Sequence, residues 1–146
     1  QWRTALLDVL SGAPKAGVLG NLAVAGRVGE ILTVAEKELD EEVDAEAEET
    51  VADEKIRIGR DASRARLLRR EALILLQDWY RDVMVLQAGG PASRLNFPDY
   101  VDALRAQGAG QSRKACYKRV DRLERAAMQM ERNLPVVDVL ELALAD

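Results

Sequence analysis

The stretch Leu75–Gly90, LLQDWYRDVMVLQAGG, decides how the rest of the chain is read. Its apolar residues recur at helical spacing and it stops at a Gly-Gly pair, so it ends a helix and does not continue as a strand. The expected helix starts at Ser63 as N-cap and runs to Gln87 or Ala88, with Gly89-Gly90-Pro91 as its stop. On a wheel of about 100° per residue, Leu68, Ala72, Leu73, Leu75, Leu76, Trp79, Tyr80, Val83, Met84 and Leu86 fill one half. Arg70, Glu71, Gln77, Asp78, Arg81 and Asp82 fill the other. Leu67, Ile74 and Val85 are apolar on the polar side and nearly in line, the pattern of a helix with a second contact surface. The DWYRD block therefore poses a question: Trp79 and Tyr80 point to the core, while Arg81 and Asp82 read as solvated or as part of a recognition surface.

Outward from this helix, nearly everything is helical. Four prolines and the lack of strand-like alternation predict an all-α bundle of five or six helices in one domain spanning 1–146. WRTALLDVL opens it, with Trp2, Leu6, Val9 and Leu10 on one face. A second helix starts near Lys15; Gly20 and Gly26 weaken it and can mark close packing. From Glu36 to Glu54 there are eleven Asp or Glu and one Lys; from Lys55 to Arg70 there are seven Lys or Arg and one Asp. This predicts a charged insertion over 40–58, either a solvated helical hairpin whose arms attract or a flexible segment, with a bend at Gly59. Asn96 as cap, Pro98 in the first turn and Asp99 start a short helix that ends near Gly108. The next runs from Ser112 to Arg132 with Ala115, Cys116, Val120, Leu123, Ala126, Ala127 and Met130 inside, and Asn133 closes it. A last helix follows Pro135. The expected core includes Leu6, Leu76, Trp79, Tyr80, Val83, Leu123, Met130 and Leu140.

Chemistry is scarce. The chain has no His, which removes the commonest general base and metal ligand. Its single cysteine, Cys116, excludes an intrachain disulfide and a Cys-based zinc site, and a thiol within an apolar face reads as core. Carboxylates such as Glu38 with Glu42, or Asp53 with Glu54, lack the histidines of a di-metal bundle. There is no phosphate loop and no dinucleotide fingerprint. The expectation is a non-enzyme without cofactor or metal. The net charge of −4 gives no global pull toward nucleic acid. A local basic stripe, Lys114, Lys118, Arg122, Arg125 and Arg132, supports the alternative of a nucleic-acid-binding module over 114–132 and gives the first four as candidate DNA-facing residues. No apolar run is long enough for a membrane span, no signal-peptide pattern opens the chain, and one cysteine suits the cytoplasm. Gln1 in place of Met suggests a piece of a longer protein or a processed chain.

The order of LLQDWYRDVMVLQAG, RLNFPDYVDALRAQ and SRKACYKRVDRLERAAMQMERNLPVVDVLELALA resembles the C-terminal region of the bacterial DNA polymerase III delta-prime subunit, to which the gamma and tau subunits are related. Trp79, Arg81, Asp82, Gly89, Asn96, Leu123, Arg132, Asn133, Leu140 and Glu141 stand at matching positions. The likeness is good from about Leu67 onward and looser over 1–39, and the segment from Asp40 to Ile58 looks like an extension. Pro135 and Asp138 depart from the family's closing motif, in which an Asn and a Leu stand there. The resemblance implies a helical collar domain that holds neighbouring clamp-loader subunits (delta and gamma/tau) in a hetero-oligomeric ring, touching DNA only indirectly. Leu67, Ile74, Arg81 and Val85 are the candidate contacts on one face. Leu134, Val139 and Leu142, within the stretch Leu134–Leu144, are the candidates on a second.

Overall fold

The computed structural model describes residues 1–12, 18–44, 51–130 and 135–145. Six α-helices carry the fold: α1 (Trp2–Ser11), α2 (Val18–Asp44), α3 (Val51–Gln87), α4 (Val101–Ala109), α5 (Arg113–Met130) and α6 (Val136–Leu144). Two short 3₁₀ turns, Ala92–Arg94 and Pro98–Tyr100, link α3 to α4. No strand occurs among the described residues, so the chain is an all-α bundle, as its periodicity requires.

The longest helix, α3, is the spine. Helices α2, α4 and α5 pack on it; α6 lies between α2 and α5, and α1 closes on α2. The polar links set α5 antiparallel to α3: Gln87, at the end of α3, donates to the carbonyls of Gly108 (2.9 Å) and Gln111 (2.8 Å) just before α5 begins. Farther back along α3, the Arg119 guanidinium of α5 stacks over the Tyr80 ring at 5.4 Å. The core runs through the whole set: Leu6, Val9 and Leu10 of α1, Val28 and Leu32 of α2, Leu76, Trp79 and Val83 of α3, Leu104, Leu123 and Leu140. Of the expected core residues, all whose side chains are described are buried; the Met130 side chain lies outside the described set. Trp2 is half-buried against the same core.

The stop after α3 is the expected one. Gly89 takes φ +76°, the left-handed conformation that costs glycine nothing. The N–H groups of Gly89 and Gly90 then donate back to Leu86 (3.0 Å) and Val85 (2.8 Å). This paired closure satisfies carbonyls that the helix end leaves open.

Three expectations about boundaries fail. Helix α3 begins at Val51, not at Ser63, and Gly59 lies inside it instead of bending the chain. One glycine costs about 1 kcal/mol in a helix, which a long packed helix absorbs. Ser63 does not cap; its hydroxyl donates to the Gly59 carbonyl at 2.9 Å, the back-bond available to a serine inside a helix. Asn96 does not cap α4 either, because its side-chain amide is directed to Asp82. By contrast Ser112 does cap α5, accepting from the Ala115 N–H at 3.1 Å. The described parts of the charged segment are helical on both arms, α2 to Asp44 and α3 from Val51, and residues 45–50 lie outside the described set. The arms are tied by Arg69 and Glu36, whose paired bonds measure 2.6 and 3.0 Å. This bond to Glu36 is the main reason the Arg69 pKa moves further up, so its guanidinium stays charged. Close approach is not marked by Gly26, which has nothing near it, but by Gly29, where a Cβ would lie 2.5 Å from Val137 Cγ2 of α6.

Candidate interaction surface

The DWYRD block splits in a way its wheel position does not show. Trp79 is fully buried and its indole N–H donates to Gln107 Oε1 of α4 at 2.5 Å. Phe97 and Tyr100 pack on it with ring centroids 6.1 and 5.9 Å away, the latter edge-on. Tyr80 is buried under Arg119. Asp82, expected on the solvated side, is fully buried. Its Oδ2 accepts from the Phe97 N–H at 2.8 Å and its Oδ1 from Asn96 Nδ2 at 3.0 Å. The turn that follows α3 folds back and covers this edge of the helix, so a carboxylate that looks solvated in projection becomes the anchor of a loop. Arg81 alone of the block faces solvent freely exposed.

The apolar residues on the outer side of α3 divide too. Leu67 is 59% exposed and Ile74 46%. They stand seven residues apart, so their side chains line up along the helix. Val85 is not part of this open stripe. It is half-buried against the core and lies under the Gly90 turn, where a Cβ on Gly90 would come within 2.6 Å of Val85 Cγ1. Two large apolar side chains of α5, Met128 and Tyr117, are exposed as well. Leu67 and Met128 share a groove of about 600 Å³ between α3 and α5, with Arg66 and Arg70 at its edge.

On the second face, Leu142 is 70% exposed, but Val139 is buried and belongs to the core. The last helix is apolar round most of its circumference, and α2 and α5 cover the Val139 side of it. Leu134 lies outside the described residues.

The basic stripe of α5 is broken up by local partners. Lys114 and Lys118 are exposed. Arg122 turns inward and donates to the Ala145 carbonyl at the end of α6. Arg125 pairs with Asp121 one turn away at 3.0 Å. Arg132 lies outside the described residues. Arg119, which the sequence reading did not single out, is buried, stacks on Tyr80 and donates to Gln111 Oε1. Its place between Cys116 and Leu123, each near one turn away, is the signal that could have found it.

Cys116 is fully buried, and burial pushes its thiol pKa up against the smaller opposing effect of Arg119. It is a packing residue. Asp78 also has a raised pKa, first from partial burial; Arg81 works against the shift and Asp82 adds to it. Among the described residues no three His, Cys, Asp or Glu side chains converge as a metal site would need, and no helix is long and apolar enough to cross a membrane.

No family model, curated protein or solved structure matches this chain.

Proposed function

We propose that this chain is a helical assembly domain, working by holding neighbouring subunits as the resemblance to the clamp-loader delta-prime collar implies. Its partners are then other clamp-loader subunits of the delta and gamma/tau kind, in the cytoplasm, with DNA reached only through the complex. The observation that carries the reading is the open apolar line of Leu67 and Ile74 on the outer face of α3. Burial of such a line against a neighbour is favourable at about 25 cal/mol per Å² of apolar surface, before the costs of association. The exposed Arg81, one turn beyond Asp78 on the same outer side, gives the contact orientation, since charges across an interface set register more than affinity. Leu142 offers a second contact point on α6, away from the α3 face.

The test is Ile74→Glu. An exposed substitution of this kind changes stability by about 0.5 kcal/mol or less. The variant should melt like the parent yet co-purify poorly with clamp-loader partner subunits. Unfolding would assign Ile74 to the core, and normal assembly would remove this face from the interface.

A further inference from the structure

The groove between α3 and α5 has an apolar floor and a cationic edge. Leu67, Leu73, Ala127 and Met128 line it, with Arg66 and Arg70 beside them. Arg69 also reaches it but is already bound to Glu36. Glu71 lies about 100° round the helix from Arg70, beyond Leu67, so it leaves the edge basic. Among the described residues, Glu124, one turn before Met128 on α5, is the nearest exposed acid along the other wall.

A complementary patch is present on α2 of the same chain. On α2, Glu30, Val34, Glu38 and Glu41 fall within about 80° of arc. All four are exposed, Val34 by 57%. Lys37 beside them is turned to Glu41 at 3.9 Å, and Arg27 lies at the far N-terminal end of this face. Glu36, the residue that meets α3, is about 160° away on the wheel. The acidic face therefore points away from the chain's own α3, while the groove lies between α3 and α5 and meets α2 through Arg69. An apolar side chain flanked by carboxylates and an apolar floor flanked by guanidiniums match in both hydrophobicity and charge.

We propose that the groove takes the outer face of α2 from a second copy of this chain, with Val34 over Leu67 and Met128 and with Glu38 and Glu41 against Arg66 and Arg70. The two patches differ, so the contact is head-to-tail, the kind that closes into a ring or continues as a filament. The proposal deepens the assembly reading, because Leu67 belongs to both surfaces, but it depends on arginines that the reading does not use. Carboxylate–guanidinium pairs at such an edge are screened by salt.

Sedimentation of the whole chain tests it, at up to about 1 mM, where weak contacts are populated. The expected result is a mass above the 16.1 kDa of one chain at low salt, falling to that value as salt is raised. Arg66→Glu with Arg70→Glu should be monomeric, and so should Glu38→Arg with Glu41→Arg. An equimolar mixture of the two should associate again, since each restores the other's complement. Should the glutamate pair disturb α3 by circular dichroism, Arg66→Gln with Arg70→Gln serves in its place and should weaken association. A parent chain that stays monomeric, variants that associate like the parent, or a mixture that does not recover would each overturn the proposal. So would a monomeric parent that instead binds a labelled single-stranded oligonucleotide, or a synthetic Glu- and Leu-bearing helical peptide, through Arg66 and Arg70. Ile74→Glu separates the two ideas. If it abolishes self-association while the arginine variants do not, the α3 face stands and the groove contact falls. If the arginine variants are monomeric yet co-purify with partner subunits, the groove contact stands by itself.

Discussion

Asp82 is where a single atom change should reveal most about how this fold is tied. Its carboxylate is fully buried and holds two donors of the α3–α4 connection, the Phe97 N–H and the Asn96 amide. Asp82→Ala removes both acceptors. Asn96 is exposed and can turn to water, so its loss costs little. The Phe97 N–H belongs to a half-buried residue, and leaving such a donor without a partner costs about 1–3 kcal/mol. Adding the lost contacts of the side chain, the expected destabilisation is about 2–3 kcal/mol, or a fall in Tm of roughly 4–12 °C for a chain of this size. Asp82→Asn is the informative companion. Its carbonyl oxygen can still accept from Phe97, and its amide can donate to Asn96 once that side chain turns over, so only the charge of the acceptor is lost. It should cost about 1 kcal/mol. Urea unfolding followed by far-ultraviolet circular dichroism measures both. If Asp82→Ala unfolds within about 0.5 kcal/mol of the parent, Asp82 does not anchor the connection, and a cost for Asn equal to that for Ala would refute the turned-amide argument.

Other outcomes follow from the same packing. Trp79→Ala should cost about 3–5 kcal/mol, since it empties a fully buried site and strands Gln107, and an unchanged thermal melt would refute the burial of that ring. Asp78 has a pKa raised in the folded state, so its contribution favours folding below the ordinary Asp value of 3.8 and is lost as pH rises through the folded value. Asp78→Asn should therefore be more stable than the parent at neutral pH, with the difference closing below about pH 3.8, as paired melts across pH would show. Cys116 should react slowly with a thiol reagent in the native protein and at the rate of a free thiol in urea, because burial both shields it and disfavours its thiolate.

Much of this was legible from residue order. The 3.6-residue period of α3, the Gly89-Gly90 stop, the start of α5 near Ser112 and the inward position of Cys116 are local properties, set by side chains within one or two turns of each other. A helix wheel assigns a side correctly when one neighbour covers it, which is why Leu76, Trp79 and Val83 were readable as core. It cannot know where the chain goes after the helix ends. The return of Asn96 and Phe97 over Asp82 made a charged residue internal, and the Gly90 turn closed over Val85. The cover of α2 and α5 took Val139 out of the surface while leaving Leu142 on it. Gly59 and Ser63 misled for a related reason: each is a local stop or start signal worth about 1 kcal/mol, and the continuity of a long helix tied to α2 through Arg69 and Glu36 outweighs it. The alternation of acidic and basic blocks was plain in the sequence, but its direction was not. Only the tertiary structure decided that Glu36 and Arg69 face each other between α2 and α3 while Glu38, Glu41, Arg66 and Arg70 stay exposed, because the side on which a helical charge emerges depends on which flank its neighbour has already taken.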